Sequence, residues 1–206
     1  MKRLMTFLAA VAFAVGAFAQ TAEEIIARME AEMDKHEADG IIMSMDIKIP
    51  ILGTMSSKAY ALGDKMRVEG KTLGVSIITW SDGVTEWTYD SKKNEVEIKK
   101  EDPKKKEEES EAEMFSGITE GYDVSLQKET ADAWYILCKK SKNNTEKDDP
   151  KTMNLVVAKG TYYPISLKAK ASGVTVTLRD VSFGVTEQQV TFNPKDYPTA
   201  TIVDKR

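Results

Sequence analysis

From Ile41 onward the apolar residues of this chain recur at every second position, and turn residues interrupt the alternation again and again. Ile41, Met43, Met45, Ile47 and Ile49 alternate with Ile42, Ser44, Asp46 and Lys48, the pattern of a strand with one buried face. The same period returns at Tyr60 and Leu62 before Gly63-Asp64, at Met66 and Val68 before Gly70, and from Val75 to Trp80 before Ser81-Asp82-Gly83. It continues at Trp87 and Tyr89, at Val96 and Ile98, and from Tyr122 to Leu126, Trp134 to Cys138 and Met153 to Val157. The last runs are Tyr163 to Ala169, Val174 to Leu178 and Gln189 to Phe192. About eleven short strands with tight turns predict an antiparallel meander, which at this size curls into a barrel or part of one.

One stretch has the other period. Thr21-Ala22-Glu23-Glu24 is a capping box, a hydroxyl followed three residues later by a carboxylate, and Ile25, Ile26, Met29 and Met33 follow at helical spacing. An amphipathic helix is predicted from about Thr21 to Glu37, stopped by Gly40. The fold class is therefore mainly β with α, of the α+β type: a curved antiparallel sheet plus a helix. Lys99 to Glu113 (KKEDPKKKEEESEAE) breaks the meander as a solvated charged loop leading into a short helix near Glu108 to Phe115, and Ser141 to Lys151 (SKNNTEKDDPK) is a second polar connection.

The chain begins with MKR, an apolar run from Leu4 to Phe18, and Ala17-Phe18-Ala19 before Gln20. A basic start, a short apolar stretch and a small-x-small site make a secretory signal peptide. The run is shorter than the roughly 20 residues that span a bilayer, so residues 1–19 are expected to be cleaved rather than inserted. No cysteine follows the run to accept an acyl anchor. The expected working protein is a single domain, residues 20–206, soluble and exported, and periplasmic in a Gram-negative cell. Losing Lys2 and Arg3 takes the formal charge from −4 to −6, and an acidic chain of this kind is not built for nucleic acid. Stable membrane insertion is not expected, and a monomer is.

Catalytic chemistry has little to stand on. His36 is the sole histidine, with no cysteine or second histidine near enough in sequence to suggest a metal site. No serine sits in a G-x-S-x-G elbow, pairs such as Glu95 and Glu97 are ordinary for an acidic surface, and Gly70, Gly74 and Gly83 are spaced as turn residues rather than as a phosphate loop. Cys138 is the only cysteine and reads as a small core residue beside Trp134, Ile136 and Leu137. No enzyme activity, cofactor or metal is expected. The choice of apolar residues is more telling: of eight methionines after residue 19, four (Met29, Met33, Met43, Met45) fall on the apolar faces of the helix and first strand. Methionine repacks at low cost, which suits a cavity that accepts variable apolar shapes.

Two further stretches carry a resemblance. Gly63-Asp64-Lys65-Met66-Arg67-Val68 leads through Ser76-Ile77-Ile78-Thr79-Trp80 to Ser81-Asp82-Gly83-Val84-Thr85-Glu86-Trp87-Thr88-Tyr89-Asp90 and Glu95-Val96, and the chain closes with Val190-Thr191-Phe192-Asn193-Pro194, Tyr197-Pro198 and Thr201-Ile202-Val203-Asp204. This order resembles the LolA-type family of periplasmic outer-membrane lipoprotein carriers, with their S-D-G-x-x-x-W-x-Y-D/N segment, F-x-P motif and V-x-D ending, over nearly the whole chain after residue 19. The resemblance implies an incomplete barrel, with the N-terminal helix and a mid-chain helix as a lid over an apolar concave side. It implies a chaperone that takes acylated lipoproteins, or another lipid, from an inner-membrane exporter to an outer-membrane acceptor. Leu62 and Met66 stand where better-studied members carry an arginine that ties down the lid and an aromatic. Arg67 faces the opposite side from Met66 by strand alternation.

Three functions are thus weighed: the carrier, a non-carrier lipid- or protein-binding module such as an envelope sensor or scaffold, and a hydrolase, which the residue inventory disfavours. For the carrier, Met43, Met45, Leu62, Met66, Val68, Trp87 and Tyr89 are expected to line one continuous acyl-chain cavity. Ile25, Ile26, Met29 and Met33 are expected to form the lid.

Overall fold

The computed structural model describes residues 20–72, 74–101, 117–147 and 149–206. The expected signal peptide and the expected mid-chain helix near Glu108 to Phe115 lie outside the described residues. Helix α1 (Ala22–Asp34) starts where the capping box places it: the Thr21 hydroxyl accepts from the Glu24 amide at 3.2 Å, and the Glu24 carboxylate accepts from the Thr21 amide at 3.1 Å. It ends sooner than expected, passing into a 3-10 turn (Glu37–Asp39) and then Gly40. Gly40 has a φ of 68°, and a Cβ there would lie 2.5 Å from the Ala61 carbonyl oxygen, so both backbone angle and space require glycine.

Among the described residues twelve strands follow: β1 (Ile41–Ile49), β2 (Gly53–Leu62), β3 (Lys65–Thr72), β4 (Val75–Ser81), β5 (Thr85–Asp90), β6 (Glu95–Lys100), β7 (Tyr122–Glu129), β8 (Ala133–Lys140), β9 (Thr152–Ala158), β10 (Pro164–Ala171), β11 (Val174–Phe183) and β12 (Thr201–Asp204). They form one sheet in the order β12-β6-β5-β4-β3-β2-β1-β11-β10-β9-β8-β7. Every pairing is antiparallel except β12 on β6. The sheet does not close: β12 and β7 are its two ends.

The run Gln189 to Phe192, expected as a strand, opens instead within a short helix, α2 (Glu187–Val190). The reason is a second capping box. The Gln189 side-chain oxygen accepts from the Thr186 amide at 2.8 Å, and this local closure overrides the weak alternation. The chain then returns as β12, which the period did not announce.

Strand pairing sorts the side chains onto two faces, since paired residues point the same way. One face carries α1, and its core is Ile25, Ile26 and Met29 from the helix against Met43, Ala59, Ile136, Cys138, Leu155, Val157, Leu167 and Leu178 from the sheet. A bulge in β11 at Asp180, whose φ is 58°, shifts the pairing with β1 and brings Val181 and Phe183 back to this face. The opposite face has its own smaller core over β3 to β6, where Trp80, Trp87 and Tyr89 pack under Phe192 and Tyr197 from the C-terminal segment.

Candidate functional site

The face beneath α1 is the candidate site, and the pairing fixes what lines it. Met43 pairs with Ala59, Ala59 with Val68, and Val68 with Thr79; one step toward the sheet's end, Ile41 pairs with Ala61 and Ala61 with Met66. On the other side, Met45 pairs with Ser57, Ser57 with Gly70, and Gly70 with Ile77. Thus a band of small residues, Ser57, Ala59, Ala61 and Gly70, is edged by Met43, Met45, Met66, Val68 and Ile77. A Cβ on Gly70 would meet nothing nearer than the Ile77 carbonyl oxygen at 4.0 Å, so the surface above this band is low. Met45, Met66, Val68 and Ile77 are all only half-buried, whereas Met43 is fully buried at the edge of α1.

Helix α1 sits beside this band and is fastened along its length. Ile25 and Met29 are fully buried, Ile26 is buried and Met33 packs on the margin of the core. At the first turns Arg28 donates to the Tyr162 hydroxyl at 3.0 Å and lies over the same ring, which stacks on Trp134. Past the last turn His36 is gripped on both ring nitrogens, by Asp39 at 2.7 Å and by the Tyr163 hydroxyl at 2.7 Å, and it stacks on Phe183 at 4.4 Å. Burial, opposed by a hydrogen bond from the Gly117 backbone, raises the pKa of the Glu30 carboxyl near the helix's middle. These fastenings are polar and aromatic contacts at the margin of an apolar seam.

The expected cavity residues do not all meet. Met43, Met45, Met66 and Val68 share the helix face, but Trp80 pairs with Trp87 and Ile78 with Tyr89, and these belong to the other face. Leu62, paired with Lys65 and alternating in phase with Tyr60, is also on that other face. The single continuous wall is therefore corrected to two separate clusters. The aromatics are stacked instead on Phe192 at 5.8 Å and against Tyr197 at 4.5 Å, holding the C-terminal segment to the back of the sheet. Arg67 joins this second cluster, with its guanidinium 5.4 Å from the Trp80 ring and paired to Glu69 at 2.6 Å. Trp80, Phe192 and Tyr197 were not singled out from the sequence as partners of Trp87 and Tyr89. The signal was the odd residue spacing between Trp80 and Trp87 across the turn.

The polar groups of the helix face gather on β4 to β6, where Thr79 and Thr88 share a hydrogen bond at 3.3 Å and Glu86 pairs with Lys99 at 2.9 Å. Cys138 is buried in the core of this face, and burial pushes the thiol pKa up to about 11, which disfavours the nucleophilic thiolate. Among the described residues no group of three or more His, Cys, Asp or Glu side chains is placed to hold a metal ion, and no helix is long and apolar enough to cross a membrane.

The architecture is that of an open, mostly antiparallel sheet with one helix packed across an apolar face. No family model and no curated protein matches the sequence. Solved structures do match. An uncharacterized conserved protein of Thermus thermophilus is 17% identical, with 87% of this chain covering 98% of that one at a TM-score of 0.50. The Mycobacterium tuberculosis lipoprotein LppX is 9% identical over 80% of this chain and 97% of that one, with a TM-score of 0.49. A LolA superfamily protein from Nitrosomonas europaea is 11% identical over 86% of this chain and all of that one, with a TM-score of 0.33. The similarity is distant, at low identity, and it is one of fold.

Proposed function

We propose that this protein is an exported, non-catalytic lipid-binding protein of the cell envelope that shelters the acyl chains of lipoproteins on its helix face and carries them between membranes. The observation that supports this reading is the band of small residues edged by Met43, Met45, Met66 and Val68 beside an amphipathic helix that is itself held by an apolar, methionine-bearing seam. An acyl chain laid along the band replaces water over low, apolar surface, at about 0.8 kcal/mol for each methylene removed from water. Displacement of α1 widens the same surface without breaking the sheet. The export signal read from residues 1–19 and the resemblance of the S-D-G-V-T-E-W-T-Y-D segment to lipoprotein carriers point the same way. An inner-membrane donor and an outer-membrane acceptor are the partners this role requires, and the periplasm is its place.

The test is to mix the protein with a fluorescent triacylated lipopeptide and measure the soluble complex for wild type and for Val68→Asp. A carboxylate at the edge of the band cannot be buried under an acyl chain without a large desolvation cost. The wild type should hold the lipopeptide, release it unaltered to acceptor vesicles, and lose it on the Val68→Asp substitution with the fold intact by circular dichroism. If wild type holds no lipopeptide, or if folded Val68→Asp holds it equally well, the acyl-binding reading fails. Binding without release would instead support the non-carrier module.

A further inference from the structure

The tip of the β1–β2 hairpin is Pro50-Ile51-Leu52, and its two large apolar side chains stand clear of the other described residues. Ile51 is fully exposed and Leu52 is 78% exposed. Ile51 also has a φ of 72°, a left-handed conformation that a β-branched residue adopts at a cost. Gly173 in the β10–β11 turn lies beside the tip, where an added Cβ would stand at an ordinary contact distance of 3.8 Å from the Pro50 ring. A hairpin end that holds isoleucine in a glycine-like conformation, wholly in water, gains nothing for the fold from that residue.

The charges around the tip are as uneven as its hydrophobicity. Lys48 and Lys170 both pair with Thr175 of the intervening β11, one from each side. In the next row inward, Lys71 pairs with Ser56, Ser56 with Asp46, Asp46 with Thr177, and Thr177 with Lys168. All four lysines are on the face opposite α1, and none is ion-paired to a described residue. The carboxylates among them are spoken for: Arg179 holds Asp46 at 3.0 Å and also pairs with Asp180. A groove of about 370 Å³ bordered by Ser56, Lys58, Glu69, Lys71 and Ser76 opens on the same patch, and Glu69 is paired to Arg67 at 2.6 Å. At the other end of the strands the turns carry Asp39, Asp64, Asp82 and Asp132 instead. The molecule is acidic as a whole, while the strand ends that flank this tip on the face opposite α1 are basic.

We propose that this end docks on an anionic phospholipid bilayer, with Ile51 and Leu52 inserted into the acyl boundary and Lys48, Lys71, Lys168 and Lys170 set against the headgroup phosphates. The size of the patch decides for a bilayer over a protein. A stable protein interface buries roughly 1,200–2,000 Å² in total, far beyond two side chains on a three-residue turn. Interfacial insertion needs a depth of only about 5–10 Å together with basic residues at headgroup level. The proposal is independent of whether acyl chains bind beneath α1, because the tip and the lysines lie outside that band.

The experiment is flotation of the purified protein, without acylated cargo, on vesicles of phosphatidylcholine alone and of phosphatidylcholine with phosphatidylglycerol, at low and high salt. Wild type should float with the anionic vesicles at low salt and less at high salt. The double variant Ile51→Asn/Leu52→Ser should bind at least about tenfold more weakly, and Lys48→Glu with Lys170→Glu should each cost about fivefold or more. Asparagine accepts the left-handed conformation at position 51, so loss of binding there cannot be blamed on misfolding. In a separate Leu52→Trp variant the new indole should shift to the blue and be quenched by brominated lipid. Equal flotation on both vesicle types, unchanged binding by the tip variant, or an indole that stays in water would each overturn the proposal. So would capture of the tip by a solubilised envelope protein with no affinity for lipid alone. Because Val68→Asp leaves this end untouched, failure here and failure of acyl binding are read separately.

Discussion

Ile51→Asn should make the folded protein more stable, against the general tendency of substitutions. The side chain is fully exposed, so its removal forfeits no burial. The backbone φ of 72° places its Cβ close to the following carbonyl oxygen, at a cost of about 1–2 kcal/mol for an L-residue that asparagine largely avoids. The expected gain is therefore about 1 kcal/mol, which in a domain of this size raises Tm by about 2–4 °C. Ile51→Gly should gain less, since glycine frees the unfolded chain by roughly 0.5–1 kcal/mol relative to a residue with a side chain. Asn94 provides the mirror case. It already occupies a left-handed position, with a φ of 51°, and its side-chain amide donates to the Thr199 carbonyl at 2.8 Å, so Asn94→Ala should be destabilising. Urea titrations followed by tryptophan fluorescence measure all three, with an unchanged slope showing that only stability has moved. If Ile51→Asn unfolds at or below the wild-type midpoint, the strain argument is refuted, and with it the claim that this residue is kept for a purpose other than folding.

Two other outcomes follow from the site's geometry. Trp87→Ala should cost about 2 kcal/mol, below the range for a fully buried tryptophan because the ring is half-exposed, and should loosen the C-terminal segment while leaving lipopeptide binding by the folded protein unchanged. Urea titration paired with the lipopeptide assay checks both halves, and lost binding in folded protein would return Trp87 to the acyl site. Hydrogen bonds from Arg179 and Ser56 hold the Asp46 carboxyl below its ordinary 3.8; a depressed folded-state pKa stabilises above the unfolded value and ceases to do so as pH falls through the folded one. Asp46→Asn should accordingly be less stable than wild type at neutral pH, with the difference shrinking below about pH 4, and a gap that widened on acidification would reverse the assignment.

Local signals in the sequence were strong enough to place eleven strands and the first helix, because each rests on a pattern contained within its own segment. The capping box at Thr21 and the alternation from Ile41 need no distant partner to be read. The site depends instead on which face each segment turns toward, and that is settled by the parity of the turns between segments. The β1–β2 turn has three residues, so odd positions stay on the helix face from Met43 to Ala59. Gly63-Asp64 makes a turn of two, and the face passes to even positions, Met66 and Val68. It returns to odd at Ile77 and Thr79 after the next turn, and Asp82 to Thr85 carries it to even again, to Glu86 and Thr88. Trp87 and Tyr89 are then necessarily on the back. The information was present as turn lengths, but an aromatic pair on one strand reads as a wall whichever way it faces, and only the count across four hairpins says which core it joins. The same count sends Arg67 to the back beside Trp80, where it secures the C-terminal segment rather than the helix. The helix face is left without an arginine from β2 or β3, and α1 is held there by Arg28, His36 and the apolar seam.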